Sequence, residues 1–279
     1  MYGFGYRYSP KGIYVPSGGG GVLDPDAEAF LTAATITDPT EISAVNQLVI
    51  DMKDAGIWTK MKAVYPFVGG TATTHKWNLI DPQDLDAAFR LTFSGGWTHS
   101  STGALPNGTN GYADTYFVPS TELTGYNISM GVYLNTSALS SVVKTHIGVR
   151  TGSGQSLYFK YASSTSKQFY TFTDANTTTI TGLTSSTHQG FFALSRTAQN
   201  EASIIVSNGT ITNATHTTSG SLPISKIKIS ARGGTTTSNV EYDNQGQAFS
   251  YISEGLNDTE LTNLKTAVIN FQTTLGRAV

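Results

Sequence analysis

Asn127-Ile-Ser-Met-Gly-Val-Tyr-Leu134 sets apolar Ile128, Met130, Val132 and Leu134 against Asn127, Ser129, Gly131 and Tyr133. Side chains of a β-strand alternate between its two faces, so this spacing predicts a half-buried strand. Two more stretches read the same way. Leu157, Phe159 and Tyr161 alternate with Ser156, Tyr158 and Lys160, and Ile227, Ile229 and Ala231 alternate with Lys226, Lys228 and Ser230. Further strand-like runs fall near 62–68, 89–93, 112–118, 143–150, 168–173, 189–195, 202–207, 211–217 and 246–252. Gly69-Gly70, Gly95-Gly96, Asn107-Gly108, Asn110-Gly111, Asn208-Gly209 and Gly233-Gly234 punctuate them as turns. Gly152-Ser-Gly-Gln-Ser156 reads as a hairpin turn. Many short strands with regular turn signals predict a mostly β sandwich or barrel.

Outward from this centre the period changes. Asp24-Pro25 and Asp38-Pro39 each place a cap before a proline that needs no helical amide partner. Glu41 stands at the capping-box position, and Ile42, Val45, Leu48, Val49 and Met52 follow at helical spacing to Gly56. This predicts a helix over 39–55 inside a helical segment, 23–57. Asn257 or Asp258 caps a last amphipathic helix, 258–275, with Leu261, Leu264, Val268, Ile269 and Phe271 as its stripe. Each helix has one apolar stripe to bury, so both are expected to pack on the sandwich of 58–279. Asp81-Pro82 is expected to start a short helical turn. Residues 1–22 differ again. Tyr2, Phe4, Tyr6, Arg7 and Tyr8 precede Ser17-Gly-Gly-Gly-Gly21, an aromatic peptide on a glycine tether, which reads as a docking arm.

Composition narrows the function. The chain has 279 residues, no cysteine, a net charge of −2 and only 13% charged residues. A disulfide framework and cysteine-based metal sites are excluded. The scattered Lys and Arg form no basic stripe, so nucleic acid is not an expected partner. No apolar run is long enough for membrane insertion, and no secretory h-region follows Met1. The absence of a Walker loop speaks against nucleotides, and no cofactor is expected.

Glu241-Tyr-Asp243 is the best local pair of carboxylates, and alternation would place both on one strand face, as a glycosidase requires. No third acid follows, since Asn244, Gln245 and Gly246 come next. His75, His99, His146, His188 and His216 are spread along the chain, and each is expected on the surface or in a loop. No metal site is expected from them, although a single calcium loop stays open. A Ser-His-Asp triad is not excluded by counting, but no nucleophile elbow appears. Trp77, Trp97, His99 and Tyr112 lie in or beside polar loops. Of these, Trp97, His99 and Tyr112 are glycan-contact candidates, although the tryptophans read more readily as core or corner residues.

Two longer stretches carry a resemblance. One runs Ala55-Gly-Ile-Trp-Thr-Lys-Met-Lys-Ala-Val-Tyr-Pro-Phe-Val-Gly-Gly70, Lys76-Trp-Asn-Leu-Ile-Asp-Pro82, Ala87-Ala-Phe-Arg-Leu91, Gly95-Gly-Trp-Thr-His99 and Pro106-Asn-Gly-Thr-Asn-Gly-Tyr-Ala-Asp114. The other is Gly255-Leu-Asn-Asp-Thr-Glu260 with Phe271-Gln-Thr-Thr-Leu-Gly-Arg277. Together they resemble structural proteins of tailed phages, frequent among phages of Bacteroidetes, that carry a concanavalin A-like (LamG-like) jelly roll. The resemblance covers about 24–120 and 247–279 and implies a virion component: a tail or head fibre, a collar or a similar attachment protein. Its partners would be other virion proteins and copies of itself, with host surface glycans as a further target. It would be assembled in the host cytoplasm and carried outside on the particle. The expectation is therefore a non-enzyme with no catalytic residues. A carbohydrate-binding module is the second reading, and a glycan-cleaving enzyme using Glu241 and Asp243 the third.

Overall fold

The computed structural model describes residues 22–137, 142–216, 220–234 and 240–279. Two antiparallel sheets face one another as a jelly-roll-type sandwich. Strands are numbered in chain order. The first sheet holds β1 (Met61–Tyr65), β3 (Trp97–Ser100), β4 (Gly103–Pro106), β6 (Ile128–Leu134), β11 (Gly190–Arg196), β12 (Glu201–Ile205), β13 (Thr212–Thr215) and β15 (Gln247–Ser253). Its order is β13-β12-β11-β6-β15-β4-β3, with β1 also on β15. The second holds β2 (Thr92–Ser94), β5 (Tyr112–Asp114), β7 (Lys144–Gly152), β8 (Gln155–Ser163), β9 (Ser166–Thr171), β10 (Thr173–Ile180) and β14 (Lys228–Ile229), ordered β10-β9-β8-β7-β14-β5-β2. The expected hairpin at 152–156 is the turn between β7 and β8.

Between the sheets lies an apolar core that includes Met130, Val132, Ile147, Phe159, Phe169, Phe192 and Ile252, all fully buried. Burying each such side chain contributes about 1.5–3 kcal/mol. Ile227, Ile229 and Ala231 point into it or beside it, as their alternation implies.

The reading of 127–134 as half-buried needs correction. Every residue of β6, β11 and β15 is buried, on both faces. Helices α1 (Pro25–Ala33), α2 (Pro39–Asp54) and α5 (Asp258–Thr274) lie on the outer face of this sheet. Val45, Leu48, Val49 and Met52 of α2 and Leu261, Leu264, Val268 and Phe271 of α5 meet Tyr133, Phe191, Phe249 and Tyr251 there. Gly131 is the small residue that lets Tyr251 lie flat: a Cβ at that position would sit 2.4 Å from the Tyr251 ring. The Tyr251 hydroxyl and Ser129 Oγ share a hydrogen bond of 2.8 Å. Ser195 Oγ donates to the Leu256 carbonyl and accepts from the Leu256 amide, tying β11 to the entry of α5.

The caps form where the sequence puts them. Asp38 accepts from the amides of Thr40 and Glu41 at 2.9 and 3.0 Å. Glu41 does not close a capping box; its carboxylate instead accepts from the Gly69 amide. Asn257 and Glu260 do form a reciprocal box at the start of α5. Asp81-Pro82 starts no helical turn. The buried Asn78 side chain holds this stretch, bonding the backbone of Lys62, Val64, Ile80 and Ala88, and a single 3-10 turn follows at Asp86–Ala88. Two four-residue helices, α3 (Ala72–His75) and α4 (Pro119–Glu122), and 3-10 turns at Trp58–Lys60 and Ser185–His188 complete the described elements.

The chain end is locked from within. Arg277 is buried, and its guanidinium donates to the carbonyls of Phe67, Pro66 and Ala248 and to Gln272 Oε1. Burial brings its pKa down to about 10, so it stays charged at neutral pH. Removing one side chain would strand several buried acceptors. Arg277→Ala should lower unfolding stability by about 3 kcal/mol, read from the denaturant midpoint. A shift below 1 kcal/mol would show that the end of the chain is not a clamp.

Candidate binding face

Among the described residues no helix lies on the outer face of the second sheet, although Thr145, Ser156 and Tyr158 there are themselves buried by their neighbours. The register brings Tyr158 on β8 opposite Tyr170 on β9, and their rings stack at 4.3 Å with an interplanar angle of 11°. Lys160 Nζ lies 5.1 Å from the Tyr170 centroid, and the Arg232 guanidinium lies 5.4 Å from the Tyr158 ring. On β7, Gly148 faces Tyr158. A Cβ there would come within 2.1 Å of the Tyr158 Cβ, and its φ of +144° belongs to glycine. Nearer the β2 edge, Tyr112 sits 6.5 Å from Tyr242, with Lys228 Nζ 5.5 Å from the Tyr112 ring. Lys226 Nζ lies 4.1 Å from the Tyr116 ring.

Ion pairs order this face. Arg150 grips Asp174 with Nε and Nη2, and Ser156 also donates to Asp174. Burial pushes the Asp174 carboxyl up, but the hydrogen bonds from Arg150 and Ser156 outweigh it and hold its pKa below the usual value. Arg232 Nε lies 3.1 Å from Glu241 Oε2, which also accepts from Thr145 Oγ1 at 2.7 Å. Asp114 is shared by Lys228 and Lys226. Burial, and then the neighbouring Tyr170, raise the Tyr158 phenol, so it remains a neutral donor.

Glu241 and Asp243 do not share a face, contrary to expectation. They lie in no regular strand. Glu241 has a left-handed backbone, φ +60°, which turns its carboxylate outward while Asp243 goes in. Asp243 is fully buried and pairs with His146 Nδ1 at 2.7 Å. The two acids therefore cannot flank one scissile bond. His146 Nε2 faces Lys167 Nζ at 2.7 Å, making an interior Lys-His-Asp line from β9 through β7 to the approach of β15. Asp243 also accepts from Gln247 Nε2 and from the amides of Asn244 and Gln245. No serine hydroxyl stands on the free nitrogen of this His-Asp pair, because Lys167 takes that place.

The histidines were expected on the surface, and four of the five are buried: His75, His146, His188 and His216. Each is held by a polar partner that sequence spacing hides. His75 Nδ1 meets His99 Nδ1 at 3.0 Å, and His216 bonds Thr171 and Thr178. The glycan-contact candidates separate. Tyr112 lies on the open face. Trp97 packs its ring on the inter-sheet core and donates Nε1 to the carbonyls of Ser94 and Tyr112, while His99 sits between Phe93 and His75. Trp97 and His99 belong to β3, an edge strand of the other sheet. Arm residues Tyr2, Phe4, Tyr6, Arg7 and Tyr8 lie outside the described residues. Missed entirely from sequence were Tyr158, Tyr170, Lys160 and Arg232 as one patch, though the outward alternation of β8 carried half of it.

No family model matches the sequence, and no curated protein is similar enough to count as a relative. Solved structures do match. A Trypanosoma rangeli sialidase in complex with 2,3-difluorosialic acid gives a TM-score of 0.51 at 12% identity, over 80% of this chain and 38% of that one. A mutant of the same sialidase displaying trans-sialidase activity gives 0.51 at 11%, over 84% and 39%. A botulinum neurotoxin type C structure, whose cell entry depends on two ganglioside molecules, gives 0.50 at 10%, over 77% and 53%. The chain spans about half or less of the length of these proteins. At such identity the likeness speaks for the fold, and it places this chain in the class of jelly-roll-type β-sandwiches. It overturns the expectation of a non-enzyme: enzymes, the sialidases, stand among the structures that share the sandwich, so the fold supplies no ground for excluding catalysis.

The buried titrating groups fix a pH signature. Burial lowers His75 to about 3 and His146 and His216 to about 4, from 6.5. Between the folded and unfolded values the unfolded chain binds more protons, so stability falls as pH drops from 6.5 towards 4. Burial likewise lowers Lys167 from 10.5 to about 7, so stability should rise from pH 7 to pH 9.5. The melting temperature of the wild type should climb over that alkaline window, and Lys167→Met should flatten the climb. An identical slope in both proteins would remove Lys167 as the cause.

Proposed function

We propose that this chain is a structural protein of a tailed-phage virion, a fibre, collar or similar attachment component, that presents its open sheet to glycans on the host surface. The observation that carries the reading is the asymmetry of the sandwich. One sheet is sealed by α1, α2 and α5, while the other carries the half-buried Tyr170, stacked on the buried Tyr158, among fixed charged groups. Sugar rings are bound by flat apolar contact plus a few polar anchors, and Tyr170 with Arg150, Asp174 and Lys160 supplies both. The sequence resemblance over 24–120 and 247–279 supports the virion part. The aromatic arm at Tyr2–Tyr8 would dock the domain onto other virion proteins, and copies would assemble by symmetry.

Two measurements test it separately. The protein should be found in purified particles at stoichiometric copy number, and deletion of 1–21 should abolish that incorporation while the melting curve stays unchanged. Normal incorporation of the truncated chain would sink the anchoring role. On a glycan array the isolated domain should bind, and Tyr170→Ala should weaken binding at least tenfold. An array without a hit would remove the glycan part.

A further inference from the structure

The open face carries more positive charge than its own carboxylates neutralise. Arg150, Lys160, Lys226, Lys228 and Arg232 stand against Asp114, Asp174 and Glu241. This surplus arises in a chain whose net charge is −2. It is concentrated at the tyrosine pair. Asp174 fully engages Arg150, and Asp114 serves two lysines, but Lys160 has no carboxylate within 4 Å among the described residues. Lys160 is held instead by the Tyr158 and Tyr170 rings, at 5.7 and 5.1 Å. Arg232 lies against Tyr158 from its own side. Its Nε is shut off from solvent, and although it lies close to Glu241 it makes no hydrogen bond with the described residues. Arg232 is nonetheless already ion-paired at Nε, and Lys160 is the cation of the patch left for an incoming anion to pair.

We propose that the patch of Tyr158, Tyr170, Lys160 and Arg232 is a subsite for an acidic sugar. The sugar ring would lie on Tyr170 while its carboxylate or sulfate meets Lys160 and Arg232. This deepens the glycan-binding reading above and rests on it. The chemistry selects the class. A neutral sugar would leave Lys160 without an anionic partner, whereas an acid group supplies one. Glu241 and Asp174 beside the cations set a second condition. They repel a densely charged polymer and suit one acid group per sugar, which favours an acidic glycan over a nucleic-acid strand.

The test uses the full chain on an array of uronic-acid, sialylated and sulfated glycans, each beside its methyl-esterified or desulfated counterpart. Acidic members should bind at least tenfold tighter than their neutralised partners, with affinity falling as salt rises. Lys160→Gln with Arg232→Gln should erase that difference in a protein that still melts cooperatively, so that acidic glycans bind no tighter than their neutralised partners. Equal binding of acidic and neutralised partners overturns the acidic subsite and leaves the glycan reading standing. Binding to no glycan overturns both. Tighter binding of a single-stranded oligonucleotide than of any acidic glycan overturns the proposal in favour of a nucleic-acid surface. Retention of the acid preference in the double variant assigns it to other residues and likewise overturns the subsite.

Discussion

The structure depends on one constraint: β6, β11 and β15 are apolar or tightly packed on both faces, so neither face can be left to water. One face meets the second sheet, and the other needs a lid. Helices α2 and α5, drawn from opposite ends of the described chain, provide it against Tyr133, Phe191, Phe249 and Tyr251. Lys60 with Glu260 at 2.6 Å and the Arg277 clamp on Pro66, Phe67 and Ala248 stitch those ends together. The contribution of the charged pair is small at the half-exposed Lys60, and that of the buried clamp is large, because only the clamp's acceptors are cut off from water.

Once the first sheet is sealed, the second sheet is the one whose outer face the proposed glycan-binding reading uses. Its inward side chains share the central core, and its outward ones are free to differ. That freedom is used for rings and charges instead of simple solvation. Tyr158 is nearly buried by its own neighbours, so the patch is shaped before anything binds. A patch ordered in advance loses little entropy on binding.

The segment at 240–245 links the two sides of the second sheet. A left-handed residue at Glu241 sends one acid out to Arg232 and the next but one inward to His146. The interior acid in turn faces Lys167 through the imidazole, and burial brings the pKa of that lysine down to about 7 against the opposing pull of Asp243. Charge on the outer patch and charge in the core are thus set by one short stretch of backbone, and a left-handed non-glycine residue is costly unless its surroundings hold it.

The sequence by itself determined the elements that repeat a local rule. Alternation located most strands of the sandwich but not β3, β4 or β10, caps at Asp38 and Asn257 located the helices, and the lack of cysteine and of a basic stripe narrowed the chemistry. It misjudged what depends on partners far along the chain. Ser129, Gly131 and Tyr133 look like a wet face, but they are the seat for Tyr251 and the helices; the histidines look like loop residues, but their acceptors come from other strands. Glu241 and Asp243 look like one face because spacing of two implies it only where the backbone stays extended. Tyr158, Tyr170, Lys160 and Arg232 become a patch through strand register and a backbone turn, so only the tertiary structure could bring them together. The physical reason is that period records which way a side chain points, while contact between strands depends on pairing that no local pattern encodes.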